Sequence, residues 1–199
     1  MEGSSSKYLI TFLLILVAIS SCINSGMAGK ANRLSTEFIR TSCKSTIYPS
    51  LCFSSLSAHA NSIQTSPQLL ASTALNVTLS SAQSTSSLMV RLSKTRGMSP
   101  RVAVAMTDCV EELSDSVDEL RQSIAEMGNL KGSNFKLMIN DIQTWVSAAL
   151  TDESTCTDGF QGNSMNGKVK TTVRGKIVKV AQLTSNALAL INRYAAFHD

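Results

Sequence analysis

From Pro100 onward, apolar residues return every three or four positions: Val102, Met106, Cys109, Leu113, Val117, Leu120, Ile124 and Met127. That period gathers all eight on one stripe of an α-helix, and Gly128-Asn129 stops it. A second stripe, Phe135, Met138, Ile142, Trp145, Val146 and Ala149, predicts a helix from about Asn134 to Thr151. A third, Val169, Val173, Ile177, Val180, Thr184, Ala187, Ile191 and Tyr194, predicts a helix starting near Lys168. The stretch Thr157 to Gly167 between them carries three glycines and two asparagines and reads as a loop, with Cys156 just past the end of the preceding helix.

The segment from Pro67 to Arg96 is rich in serine and alanine, and two apolar faces compete in it. One holds Leu70, Ala74, Val77 and Leu88; the other holds Leu75, Leu79, Ala82 and Met89. Beyond Pro67 no glycine or proline interrupts it and β-branched residues are few, so it is expected to be helical as well. Ser66-Pro67 and Ser99-Pro100 each put a serine at the N-cap and a proline at the first helical position, where an amide would go unused. Tyr48-Pro49 marks a turn between two shorter helices, Leu34 to Lys44 and Ser50 to Asn61. The expected fold is therefore all-α: an antiparallel up-down four-helix bundle over residues 63–199, preceded by a helical hairpin over residues 29–62.

The start of the chain has a different pattern. A polar head carrying Lys7 is followed by the apolar run Tyr8 to Ile19 and by small residues from Ser20 to Gly29. This is the layout of a secretory signal peptide, too short to span a bilayer comfortably, with cleavage after Ser20 or after Ala28. Residues 1–28 are accordingly set apart, and the protein is expected to be secreted. Its net charge of +4 is unchanged by that loss, since Glu2 and Lys7 leave together. Of five cysteines, Cys22 lies in or beside the leader, leaving Cys43, Cys52, Cys109 and Cys156. In an oxidising compartment an even set of four implies two disulfides, with three possible connectivities. Pairing of Cys43 with Cys52 across the Pro49 turn is the simplest, and it leaves Cys109 with Cys156. Loops of those sizes would stabilise the fold by about 2.7 and about 4 kcal/mol in the chain-entropy model. The two histidines, His59 and His198, and the wide cysteine spacing do not suit a zinc site.

The sequence resembles the plant invertase and pectin methylesterase inhibitor family from about Ser35 to Ala196. The resemblance rests on Cys43, Tyr48-Pro49 and Cys52, on Asp108-Cys109-Val110-Glu111 with Asp115 and Leu120, and on the Trp145 to Leu150 stretch followed by Thr155-Cys156-Thr157-Asp158. It implies the hairpin-plus-bundle fold with Cys43–Cys52 and Cys109–Cys156 pairing. The run from Asp141 to Leu150 and on through Asp158-Gly159-Phe160 looks like the pectin methylesterase branch. Invertase inhibitors tend to carry Pro-Lys-Phe where this chain has Ser133-Asn134-Phe135, so invertase inhibition is the alternative. With no catalytic domain after Asp199, a free-standing inhibitor of the apoplast and cell wall is expected, not an enzyme's pro-region.

Glu111, Asp115 and Asp118, spaced i, i+4, i+7, form an acidic row opposite the core stripe, continued by Gln122 and widened by Asp108, Glu112 and Glu119. By itself such a row is usually a solvated face. The resemblance implies that Glu111, Asp115 and Asp118, with Thr155 and Asp158, belong to or border a surface facing pectin methylesterase. The bundle would lie across the enzyme's substrate cleft in a non-covalent, 1:1 complex. Asn76-Val77-Thr78 is an N-glycosylation sequon. Lys168, Lys170, Arg174, Lys176 and Lys179 make a basic start to the last helix, either a solvated face or a weak contact with acidic pectin. No paired-carboxylate, nucleophile or phosphate-cradling motif points to an enzyme, and no cofactor, nucleic-acid partner or membrane contact after leader removal is expected. A carrier bundle with an apolar cavity is the remaining class of alternative.

Overall fold

The computed structural model describes residues 31–130, 132–161 and 168–198; the proposed leader, Cys22, and the Val169 and Lys168 side chains lie outside them. Seven α-helices are described: α1 (31–43), α2 (Pro49–Leu56), the single turn α3 (Ala60–Ile63), α4 (Pro67–Ser93), α5 (Pro100–Met127), α6 (Phe135–Gly159) and α7 (Lys168–Ala195). No strand occurs among the described residues. In the bundle, α4 and α6 each pack on both α5 and α7, and short links join consecutive helices, as an up-down arrangement requires. The Ser66 and Ser99 hydroxyls accept from the Leu69 and Val102 amides and cap α4 and α5 as expected. Gly97, at φ +85°, supplies the left-handed turn between them.

The two competing faces of α4 resolve into one stripe that neither describes alone. Ala71, Leu75, Thr78, Ala82, Thr85 and Met89 are buried at alternating steps of four and three. Two of these positions are threonines, which is why an apolar pattern skips them. The Thr78 hydroxyl donates to the Ala74 carbonyl 2.8 Å away, so burying it leaves no donor unsatisfied.

The third bundle helix runs longer than the sequence predicts. It continues past Thr151 to Gly159, so Cys156 lies inside α6 and the loop begins only after it. The stripe Val146, Ala149, Glu153, Cys156 is unbroken in space and leads to Phe160, which is fully buried. Glu153 occupies the one stripe position where hydrophobicity fails.

Both disulfides form as expected, Cys43–Cys52 and Cys109–Cys156. The core is two apolar clusters. One runs from the hairpin, through Ile39, Leu56 and Ile63, into Leu75, Leu120, Ile142 and Ile191. The other surrounds the Cys109–Cys156 bridge with Met89, Met106, Phe160 and Ile177. The hairpin thus shares its core with the bundle. It is also held by polar contacts: the Arg40 guanidinium lies 4.1 Å from the Phe53 ring centre. More specific is Asn186 on α7. Its Oδ1 accepts from the Tyr48 amide and its Nδ2 donates to the Tyr48 carbonyl, both at 3.0 Å. This side chain is nearly fully buried and satisfies both backbone groups of the turn.

Asn186→Ala should therefore cost about 1–3 kcal/mol, measured by denaturant unfolding. Asn186→Asp should be no better, because its second oxygen would face the Tyr48 carbonyl.

Candidate functional site: an acidic face on α5 and α6

Glu111, Asp115 and Asp118 are exposed on α5, away from the Cys109, Leu113 and Leu120 stripe. Asp118 is paired with Arg121 one turn on, Nη1 to Oδ1 at 2.6 Å. Glu111 and Asp115 have no ion-pair partner among the described residues. Thr155 is exposed on α6, and its hydroxyl donates to the Thr151 carbonyl, leaving its lone pairs open. The disulfide ties the backbones of the two helices together beside Thr155, with the cysteine Cα atoms 4.4 Å apart. Asp158 accepts from the Gln161 amide and lines a shallow groove of about 320 Å³ with Tyr48, Leu150 and Val178. It is therefore turned toward α7, whereas the three α5 carboxylates face the opposite flank of α6. The sequon residue Asn76 is exposed on α4, and its Nδ2 donates to the Ser72 carbonyl.

Behind the exposed row lies a second rank of carboxylates in the α5–α6 seam. Glu119 and Asp152 meet there, and each has one buried oxygen with no partner among the described residues. Burial, then the charge and hydrogen bonding of Asp152, pushes Glu119 up to about 7. Asp152 is itself raised, mainly by burial. A single proton held between the two carboxyls accounts for both orphan oxygens. Glu112 is raised as well, by burial and then by Asp152, Asp115, Glu111 and Asp108.

Deeper still is Glu153, fully buried and absent from the sequence-based site. The Ser116 hydroxyl of α5 and the Thr184 hydroxyl of α7 each lie 2.9 Å from its Oε1. Thr184 Oγ1 is also 3.1 Å from the Val180 carbonyl. Burial drives Glu153 up to about 8, against the lowering effect of the two hydroxyls, so it is neutral in weakly acidic solution. The sequence signal that would have found it is a carboxylate on an apolar stripe that resumes at Cys156 and Phe160.

These features supply no nucleophile–base pair, and no cluster among the described residues could hold a metal ion. The arrangement is a rigid, acid-rich surface suited to contact with a cationic partner.

The model of the plant invertase/pectin methylesterase inhibitor family matches residues 37–190. A 21 kDa protein from Daucus carota is 47% identical over 201 residues, covering 100% of this chain and 99% of its own. Pectinesterase inhibitor 11 from Arabidopsis thaliana is 45% identical over 191 residues, covering 94% and 95%. A crystal structure of mutant form A of a pectin methylesterase inhibitor from Arabidopsis superimposes with a TM-score of 0.61 at 25% identity, covering 75% of this chain and 92% of its own. The chain belongs to the plant invertase/pectin methylesterase inhibitor family.

The Glu153 proton sets a pH signature for the fold. The folded state holds it up to about pH 8, whereas the ordinary carboxyl value is 4.5. Its stabilising effect is thus complete below about 4.5 and is lost as pH rises toward 8. Glu153→Gln, which mimics the neutral acid, should leave the thermal midpoint unchanged near pH 4.5 and raise it at pH 8. Equal pH dependence in both proteins would contradict this assignment.

Proposed function

We propose that this protein is a secreted, non-enzymatic inhibitor of pectin methylesterase that acts in the apoplast and cell wall. It binds 1:1 and non-covalently over the enzyme's substrate cleft, so that pectin is excluded. In this reading residues 1–28 are removed on export, and the hairpin (29–62) and bundle (63–199) act together as the binding unit. The observation that carries the reading is 45% identity, over nearly the whole of both chains, to a relative named as a pectinesterase inhibitor. The acidic face of α5 supports it, because exposed carboxylates on a disulfide-braced helix pair lose little freedom on binding. Glu111, Asp115 and Asp118, with Thr155 beside them, are the proposed contacts, and Asp158 borders them from the α7 side. A glycan on Asn76 would stand on α4, clear of that row. Inhibition of invertase is the less favoured reading. A weaker contact with acidic pectin, through cations of α7, completes the proposal.

The test is an assay of the purified, oxidised protein against pectin methylesterase and invertase; inhibition of invertase alone would reverse the choice of branch. The triple variant Glu111→Gln, Asp115→Asn, Asp118→Asn should keep its fold and weaken inhibition roughly tenfold or more. Inhibition by the triple variant that matches wild type would exclude this row as the contact.

A further inference from the structure

A groove of about 660 Å³ lies away from the acidic face, between α4, α7 and α2. Arg91, Lys176 and Lys179 stand on its rim, all exposed and none ion-paired among the described residues. No aspartate or glutamate occurs anywhere in α2, α4 or α7. The three cations therefore act together in a field that no nearby carboxylate of these helices cancels.

The lining is also rich in hydroxyls, several of which bond to no other protein group among the described residues. Most helical serines and threonines here donate to a carbonyl three or four residues back, as Thr73, Thr107 and Ser147 do. The hydroxyls of Ser80, Ser81 and Ser84 on the groove wall do not, and bond to no protein group among the described residues. Thr85 is only 5% exposed, yet it lines the groove, and its hydroxyl is not among the buried atoms left without a partner, so it stays accessible from the groove. The groove continues past His59 and Ser80 into a second hollow of about 360 Å³ that reaches Asn76. Along α4, Val77 to Arg91 spans about 21 Å, which accommodates several linked sugar rings.

We infer that this groove is a binding site for an acidic polysaccharide segment, with the carboxylates of a uronic-acid chain on Arg91, Lys176 and Lys179 and its hydroxyls on Thr85 and the wall serines. The inference rests on the pectin contact proposed above for the ligand's class, and assigns that contact a place. A sugar fits better than an acidic peptide, because the wall offers hydroxyls in place of amide-pairing groups and a few apolar side chains, such as Val77 and Leu88, for ring C–H faces. The groove is separate from the α5 row, so polymer and enzyme would occupy different faces of one molecule.

The test uses the full-length secreted protein, without enzyme, titrated with oligogalacturonate of defined length, its methyl ester, and polyglutamate. Oligogalacturonate should bind, more weakly with added salt, and the uncharged ester should not. The variant Arg91→Gln, Lys176→Gln, Lys179→Gln should lower affinity roughly tenfold, while inhibiting pectin methylesterase like wild type. Thr85→Val should weaken oligogalacturonate binding without changing that of polyglutamate. The charge-matched control Arg33→Gln, Lys44→Gln, Lys136→Gln should change little. An equal loss in that control, or none in the groove variant, would remove the groove but leave the pectin contact standing. Failure of wild type to bind oligogalacturonate at all would remove both, and equal binding of polyglutamate would overturn the choice of a sugar. Asn76→Gln tests whether the protein's own glycan fills the groove; a large gain in affinity on its removal would overturn an open site.

Discussion

A single carboxyl group, Glu153, sits where the four-helix bundle has least tolerance for charge. It takes the hydroxyls of Ser116 and Thr184, so three helices are committed to one oxygen. On α4, α5 and α6 the boundary between the two apolar clusters falls at Thr85, Ser116 and Glu153, each flanked by core residues of both clusters. Apolar stripes on their own permit helices to slide by a turn with modest loss. Here Glu153 Oε1 is hydrogen-bonded in one alignment only, while its Oε2 is buried without a partner among the described residues, so each slipped register would strand the whole carboxyl and a buried hydroxyl. The neutral state of Glu153 makes this arrangement tolerable, since an ionised carboxylate in that position would need a cation that the core lacks.

The register so fixed determines what the surface presents. With α6 continuing to Gly159, Cys156 reaches Cys109 from inside a helix, and the bridge joins two rigid rods instead of a rod and a loop. Asp152 is carried into the seam against Glu119, and Thr155 to the edge of the α5 row. Like charges at such short range are stabilised only by sharing a proton, so the seam is a place where the fold accepts electrostatic cost next to its outward acidic face. The hairpin adds a third constraint. Asn186 holds Tyr48 by both backbone groups, and α1 and α2 then close the first core cluster from the side.

Much of this was legible from spacing. The α5 and α7 stripes, the two serine caps, the Pro49 turn and the cysteine pairing are local or periodic signals, and each corresponds to an observed element. Three features were hidden for physical reasons. Thr78 and Thr85 fill core positions with side chains that hydropathy scores as neutral, so α4 offered two faces where it has one. Glu153 interrupts the α6 stripe with the residue type least expected inside, which made a helix end look natural at Thr151. The cation-rich groove needed the third dimension, because Arg91 lies some eighty residues from Lys176 and Lys179. The carboxylate row on α5 was visible as a helical face, but Glu112 and Glu119, read as part of that belt, are half-buried against Asp152, which lies just past the predicted helix end at Thr151.

The absence of acidic residues from α4 and α7, set against their abundance on α5 and α6, has one more consequence. The molecule carries a permanent electric moment across the bundle, directed from the acid-rich pair toward the cation-bearing pair. A wall of fixed negative charge is a field source. Near it, a body with such a moment turns before it touches, presenting α4 and α7 inward and α5 outward at distances up to about a Debye length, roughly 8 Å in physiological salt. Orientation would then precede recognition, and the acidic face would already point away from the polymer toward whatever moves along it.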